Sequence, residues 1–269
     1  MLTFFEKVTV LCFAASYGVA FGLELWHLFQ PRPIQRILAL AFGAAGLLAH
    51  IIYMMAQSLP FGSPTGSLFL LALILAVFYV GEAIHHHRVA WAIFVLPLVL
   101  GLIGIAVLVH DPSSPREGWQ SFWGMTHATL LLLAAVGVSV GCIASVMYLV
   151  QLRRLKTKMS PNHGPPLFSL ERLELMNRRA VLWSFPLLTA GLLAGFALQL
   201  YNGVSLQNWL HPRILSILGL WIVFAILLYL RYRVHVRGRQ MALWTMLAFA
   251  ILLFALISPP HSFVPGGGP

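Results

Sequence analysis

Eleven histidines stand against only seven acidic residues in this 269-residue chain, and their positions define the chemistry that it could perform. His127, His211 and His261 each lie at or near the end of a long apolar run. Neutral imidazole is a ligand for transition metals and for haem iron. These three histidines predict a metal or haem site if the apolar runs bring them to one surface.

Tryptophans accompany these histidines. Trp119, Trp123 and His127 are spaced i, i+4, i+8, which places them on one helical face. Trp209 precedes His211 by two residues. The pattern predicts a flat apolar surface on which a porphyrin would lie, and the alternative is an interfacial tryptophan belt.

Two arginines, Arg116 and Arg213, belong to the same set of segment ends. A guanidinium pairs well with a carboxylate, such as a haem propionate. For Arg213 the alternative is a side chain that extends from a helix end to the membrane surface.

His50 differs because it stands inside an apolar run, in "LLAHIIYMM". About seven residues separate it from the end of that run, so it lies roughly 10 Å deep at 1.5 Å per residue. A polar residue at that depth usually faces the interior of a helix bundle and often marks a site. The alternative is a hydrogen-bonded core histidine.

Two E-x-x-H sequences, Glu24–His27 and Glu82–His85, place a carboxylate and an imidazole on one helical face. Di-iron bundles pair such motifs with two further inward carboxylates, which the apolar runs do not offer. A Glu–His hydrogen bond, or an inner haem-handling histidine, is therefore the better interpretation. Motifs for hydrolysis or phosphoryl transfer do not occur, and no CxxCH sequence offers covalent haem attachment. Whether the protein is an enzyme stays open.

Long helices must position these residues. The chain is 59% hydrophobic, with a mean hydropathy of +0.86, and apolar runs of about 18 residues or more are long enough to cross a bilayer. We therefore expect an all-α, polytopic integral membrane protein with eight transmembrane helices. The expected spans are about 4–27, 34–57, 67–86, 89–110, 119–152, 177–201, 212–232 and 239–258.

The positive charge predicts the orientation. Of the 17 Lys and Arg residues, 14 fall in the alternate loops on one side and three, Lys7, Arg116 and Arg213, on the other. The positive-inside rule then places both termini outside. The net charge of +10 reflects this topology and an attraction to anionic membrane lipid, not a nucleic-acid partner.

The organisation predicted is one membrane domain over 1–263, with four N-terminal helices over 1–115 and a second set over 119–263. A cytoplasmic loop over 153–179 contains a short interfacial helix, for which Ser169 is a candidate N-cap. The segment 264–269 is expected to be a disordered tail.

Three segments give the chain a family resemblance. They are "THATLLLLAAVGVSVGCIASVMYLVQLRRLK" (126–156), "LFSLERLELMNRRAVLWSFPLLTAGLLAG" (167–195) and the run 212–256, followed by a terminal "HS" and an aromatic residue. The chain resembles the cytochrome c assembly family, particularly its eight-span, CcsA/HemX-like members. The resemblance is good over about 120–263, whereas 1–115 matches only as four helices with a histidine in the second.

The resemblance implies haem handling during cytochrome c maturation, at the outer face of a bacterial inner (cytoplasmic) membrane. It implies that His127 and His261 are axial ligands to non-covalent haem b, and that His50 is the embedded histidine of the family. Apocytochrome c and an assembly partner that holds it are the implied partners.

The sequence departs from the family in its external tryptophan-rich loop. Trp209 and Pro212 can be placed on the family's Trp-Asp-Pro type motif, but His211 stands near the acidic position. Arg213 and His211 would then be a propionate partner and an extra ligand. The alternative function is a HemX-like regulator or scaffold for haem-biosynthesis enzymes, acting through 153–179 without synthase activity. A small-molecule transporter ranks third, because the second half of the chain does not mirror the first.

Overall fold

The computed structural model describes residues 9–30, 32–57, 64–85, 91–108, 119–157, 167–201, 212–234 and 238–257. All regular structure in these ranges is helical. The helices are α1 (Val10–Phe29), α2 (Pro33–Gln57), α3 (Pro64–His85), α4 (Ala92–Leu108), α5 (Trp119–Lys156), α6 (Leu170–Tyr201), α7 (Pro212–Tyr229) and α8 (Gly238–Ile257). A π-helical turn, Leu230–Val234, continues α7.

The helices are those of a multi-pass membrane protein, as predicted. Within the described ranges, six helices are long and apolar enough to cross a bilayer, namely α1, α2, α3, α5, α6 and α8. Two shorter apolar segments, Ala92–Leu108 and Ile214–Tyr229, lie in α4 and α7. The exact number of spans and the orientation of the termini stay predictions.

Helix is the conformation that these apolar segments must adopt in lipid, because it satisfies every backbone polar group within the segment. Pro33, Pro64 and Pro212 occupy the first position of their helices, where the missing N–H has no intrahelical partner to lose. This confirms the prediction that Pro212 begins its helix. Pro97 and Pro186 lie inside α4 and α6.

The helix ends follow the predicted spans with one informative difference. The sequence predicts a short interfacial helix after Ser169 that leads into the span over 177–201. The structure has a single helix, α6, from Leu170 to Tyr201. Hydropathy marks the segment that lipid tolerates, whereas the helical backbone continues through the amphipathic turns before it.

The chain divides into two compact units. Unit 1 comprises 1–59, 68–108 and 150–169, and unit 2 comprises 60–67, 109–149 and 170–269. The predicted division into 1–115 and 119–263 remains a prediction.

In unit 1, α1 packs on α2 and α4. Two glycines of α2 admit large rings between the helices. A Cβ on Gly43 would lie 2.5 Å from Cε1 of Tyr79, and one on Gly46 would lie 3.0 Å from the ring of Tyr17. Both tyrosines are completely buried, so these glycines set how closely α1 and α3 approach α2.

In unit 2, α7 packs on α6 and α8, and a buried amide links α5, α6 and α8. Nδ2 of Asn177 donates to Oγ of Ser145 at 2.8 Å, to Oγ1 of Thr245 at 3.0 Å and to the carbonyl of Gly141 at 3.3 Å. The Ser145 and Thr245 hydroxyls each donate to a carbonyl four residues earlier. Hydrogen bonds of this kind hold membrane helices together where apolar packing gives no preference over lipid.

The π-helical turn at the end of α7 carries an aromatic contact. Cζ of Arg178, on α6, lies 5.7 Å from the ring centroid of Tyr232, within the range of a cation–π interaction. The turn therefore fixes which way Tyr232 faces at this end of unit 2.

Candidate functional site

The seven predicted site residues fall into three groups. His127 and Trp123 are described and lie on α5 in unit 2, and His50 lies on α2 in unit 1. Arg213 belongs to the first turn of α7, but its side chain lies outside the described part. The remaining three, Trp209, His211 and His261, lie outside the described residues.

His127 is half-buried and is held by the neighbouring helix. Its Nδ1 lies 2.7 Å from the carbonyl oxygen of Gly191 on α6. A carbonyl oxygen only accepts hydrogen bonds, so Nδ1 carries the proton and donates it. In the neutral ring the other nitrogen, Nε2, then keeps its lone pair. Histidines that bind metals are commonly fixed in this way by a hydrogen bond from the second nitrogen.

Gly195 forms the surface against which this imidazole rests. A Cβ at Gly195 would lie 2.6 Å from Cε1 of His127 and 2.7 Å from Nδ1. Real Cβ atoms do not approach this closely, so the ring takes the space that a side chain would occupy. One turn earlier, Gly191 lies equally close to α5, because a Cβ there would stand 2.7 Å from Cδ2 of Leu131. This pair of glycines lets α5 and α6 approach until the imidazole reaches the carbonyl.

Trp123 lies one helical turn before His127 on α5 and is half-buried. Trp123 and His127 therefore lie on the same face of one helix, as their i, i+4 spacing predicts. Trp119 is the first residue of the same helix, and its side chain lies outside the described part. An oriented imidazole beside a large aromatic ring can bind an iron porphyrin, since one supplies the ligand atom and the other apolar area.

His50 faces the interior of unit 1, as its depth in the sequence predicts. It is completely buried. Its ring stacks on Phe13, with centroids 4.2 Å apart and planes at 4°. Tyr17 and Phe69 meet it edge-on, at 6.2 and 6.0 Å. We call these three rings and His50 the aromatic cage.

Neither nitrogen of His50 has a hydrogen-bond partner among the described residues. Buried polar atoms are nearly always bonded to protein or to water. The two unpartnered nitrogens therefore indicate that a ligand or an internal water binds at His50. Their chemistry suits haem iron, but Phe13 covers one face of the ring and Tyr17 and Phe69 stand against its sides. A porphyrin at His50 requires the aromatic cage to open, whereas His127 is only half-buried.

Sequence reasoning missed the groups that position these histidines. The carbonyl of Gly191 and the surface at Gly195 depend on the rotation of α6 against α5. Their only signal is the G-x-x-x-G spacing, which favours close helix contact in membranes. For the aromatic cage, the signal is the i, i+4 spacing of Phe13 and Tyr17 on α1.

The family model and the similar proteins that match this chain agree on one family. Residues 61–259 match the family model of the cytochrome C assembly protein. An uncharacterised 28.8 kDa protein from Azospirillum brasilense is 28% identical over 233 residues, covering 84% of this chain and 83% of its own. Protein HemX of Brevibacillus brevis is 29% identical over 181 residues, which is 64% of each chain. Further relatives are named cytochrome c biogenesis protein CcsA.

A solved structure shares the fold. The cytochrome c haem lyase CcmF superposes with a TM-score of 0.66 over 97% of this chain and 48% of its own, at 15% identity. The chain thus spans about half of CcmF and slightly less than two thirds of HemX. The match to the family model covers well over half of the chain and includes His127 with the two glycines that hold it. The protein therefore belongs to the cytochrome c assembly protein family.

Proposed function

We propose that this protein holds haem non-covalently at the outer face of a bacterial inner membrane and presents it during cytochrome c assembly. Its family gives it a role in cytochrome c maturation, and the handling of haem is our proposal. Haem is the substrate of this step and apocytochrome c its acceptor. We also propose an assembly partner that holds the apocytochrome during this step.

The observation that carries the proposal is the hydrogen bond from Nδ1 of His127 to the carbonyl of Gly191, 2.7 Å long. It fixes the tautomer that has a lone pair on Nε2 and holds the ring in one orientation. An axial ligand needs both properties, because a misdirected or protonated nitrogen does not bind iron. Gly195 adds a steric boundary on one side of the same ring.

Other residues complete the proposed site on sequence grounds. His261 is the second axial ligand, and Trp123 and Trp209 provide apolar area for the porphyrin. Arg213 pairs with a propionate, and His211 is an additional ligand close to it. These roles rest on the family resemblance, and the role of Arg213 also rests on its position in the first turn of α7. We keep His50 as a second haem contact, one that requires the aromatic cage to open.

The test is a haem spectrum of the purified full-length protein. We expect haem to co-purify with the wild type and to give a Soret band, and we expect His127→Ala and His261→Ala to reduce that band strongly. His163→Ala is the matched control, because His163 lies in the basic loop between α5 and α6. A wild type without haem, or a spectrum that neither substitution changes, would contradict the proposal.

A further inference from the structure

One end of unit 1 gathers ionisable and polar side chains that haem handling does not use. They are Glu24 and His27 of α1, Gln35 and Arg36 of α2, and Glu82 of α3, and we call this the polar end. Its five residues come from three different helices, each of which is apolar enough to cross a membrane.

Chain connectivity and one hydrogen bond bring these residues to the same end. Only 30–32 separates α1 from α2, so the end of α1 adjoins the start of α2. Nη2 of Arg36 donates to the carbonyl of Ala83 at 3.1 Å, which places the end of α3 there too. Glu24 interacts electrostatically with both Arg36 and His27. The polar end is therefore a single cluster.

A line of protonatable groups leads from the polar end into the apolar interior along α2. The first is Tyr79 of α3, whose hydroxyl donates to the carbonyl of Ala39 at 3.3 Å. The same hydroxyl would stand 3.2 Å from a Cβ on Gly43. It thus lies beside the turn of α2 that follows Arg36.

The next groups are Tyr17 and His50. Tyr17 packs against Gly46, and its ring centroid lies 6.2 Å from that of His50. Arg36 and His50 are 14 residues apart on α2, which is about 21 Å at 1.5 Å per residue. On α2 the Tyr79 ring meets Gly43 and the Tyr17 ring meets Gly46, and His50 follows Gly43 by seven residues, about 11 Å at 1.5 Å per residue.

Several buried polar atoms on this line have no hydrogen-bond partner among the described residues. They are Oε1 of Gln35, Nδ1 of His27, the hydroxyl of Tyr17 and both nitrogens of His50. Gln35, Tyr17 and His50 are almost completely or completely buried. A buried polar atom without a protein partner is normally bonded to an internal water, so internal water is expected at both ends of the line.

We propose that unit 1 contains a proton path, which runs from the polar end through the hydroxyls of Tyr79 and Tyr17 and intervening waters to the imidazole of His50. A proton enters from solvent at Glu24 or Glu82. The Tyr79 hydroxyl first rotates away from the carbonyl of Ala39, to which it donates its proton. Each hydroxyl then gives its own proton forward and receives another from behind, so that only a proton is transferred. The titratable groups that face the path are those of the polar end and the two tyrosines, namely Glu24, His27, Arg36, Glu82, Tyr79 and Tyr17. Tyr53 lies against the aromatic cage beyond the path, and no electron transfer is involved.

The aromatic cage explains why His50 would need such a path. Phe13, Tyr17 and Phe69 surround the ring, and none of its surface meets solvent. Ionisable residues inside a membrane commonly form proton relays. Since the path requires no haem, its test is independent of the proposed function.

Hydrogen–deuterium exchange at the ring of His50 tests the path. The full-length protein, with ¹⁵N-labelled histidine rings, is transferred to D₂O in lipid nanodiscs and followed by NMR. The His50 signal is assigned by its loss in His50→Gln. We expect the ring N–H to exchange at least about tenfold faster than the backbone amide of His50, which exchanges only when α2 opens. Tyr17→Phe and Tyr79→Phe should each slow the ring exchange by at least about tenfold, a modest part of what a positioned group contributes to proton transfer.

Tyr53→Phe is the matched control. Tyr53 contacts Phe13 and Phe69 of the aromatic cage, but it follows His50 on α2 and so lies beyond the path. It should exchange like the wild type. Removing the Tyr17 hydroxyl costs no hydrogen bond to any residue that the structure describes, so Tyr17→Phe is expected to fold. Ring exchange no faster than the amide in the wild type, or equal rates in Tyr17→Phe and Tyr53→Phe, would overturn the proposal.

Discussion

Gly195→Ala tests whether the orientation of His127 depends on its contact with α6. The new Cβ would lie 2.6 Å from Cε1 of the imidazole, whereas carbon atoms rest about 3.5 Å apart, so the ring must withdraw by about 1 Å. Gly191 and Gly195 lie on the same helix, and a ring that leaves one also leaves the other. The 2.7 Å hydrogen bond to Gly191 then lengthens beyond about 3.5 Å and is lost.

The consequence for haem follows from the lost hydrogen bond. Removing the group that orients a metal-binding histidine typically weakens affinity roughly 10- to 100-fold. We expect that loss when haem is titrated into protein prepared without it, with the Soret band as the readout. Overall stability should fall by no more than the cost of overpacking, about 1–3 kcal/mol, because alanine is a better helix former than glycine by about 1 kcal/mol and offsets part of the loss.

Gly219→Ala is the matched control, since no atom lies within 4 Å of a Cβ at that position on α7. It should bind haem like the wild type. If Gly195→Ala binds haem within about threefold of the wild type, a difference under 1 kcal/mol, then haem affinity does not depend on the contact between His127 and Gly195. If His127→Ala also binds haem normally, the proposed function is refuted as well.

Three further predictions concern the helix contacts. Gly43→Ala should destabilise unit 1, since its Cβ would stand 2.5 Å from Tyr79, and overpacking costs about 1–3 kcal/mol; denaturation in mild detergent measures this. Asn177→Ala should lower stability by about 1 kcal/mol, because three acceptors lose their shared donor; the same assay applies. Trp221→Phe should cost about 1 kcal/mol, because the indole N–H donates to Thr189 at 3.0 Å; thermal unfolding measures it.

Each of these three has a control in the chain. Gly18→Ala should be neutral or stabilising, since nothing lies within 4 Å of its Cβ position. Trp183→Phe should have little effect, because Trp183 is 70% exposed. For Asn177, the comparison is Ser139→Ala, because the Ser139 hydroxyl donates to the carbonyl of Ala135 on its own helix. If a variant and its control lose equal stability, the contact that the variant removes does not stabilise the protein specifically.

The sequence predicted the helices well because lipid imposes one requirement on every span. Apolar length and punctuation by proline and charge are enough to place α2, predicted at 34–57 and observed at Pro33–Gln57. The start of α6 was harder. Its first turns contain Glu171 and Arg172, so hydropathy ends the span where the backbone helix continues.

The burial of His50 was predictable from the sequence, whereas the contacts of His127 were not. Depth alone placed His50 in the interior of its unit, and the structure confirms this. The contact of His127 with Gly191 depends on the rotation and separation of two helices, to which many small residues contribute together. A single sequence records the glycines but not which ring they accommodate.

The π-helical turn at Leu230–Val234 has a consequence for how this chain tolerates insertions and deletions. A π turn accommodates one residue more than the α-helical turn that it replaces. Deleting a single residue there would let α7 continue as a regular helix, and the side chains that follow the deletion within the turn would rotate by about 100°. Tyr232 would then leave Arg178, which now lies 5.7 Å from its ring. This turn is therefore a position at which length variation of one residue rearranges a surface without breaking a helix.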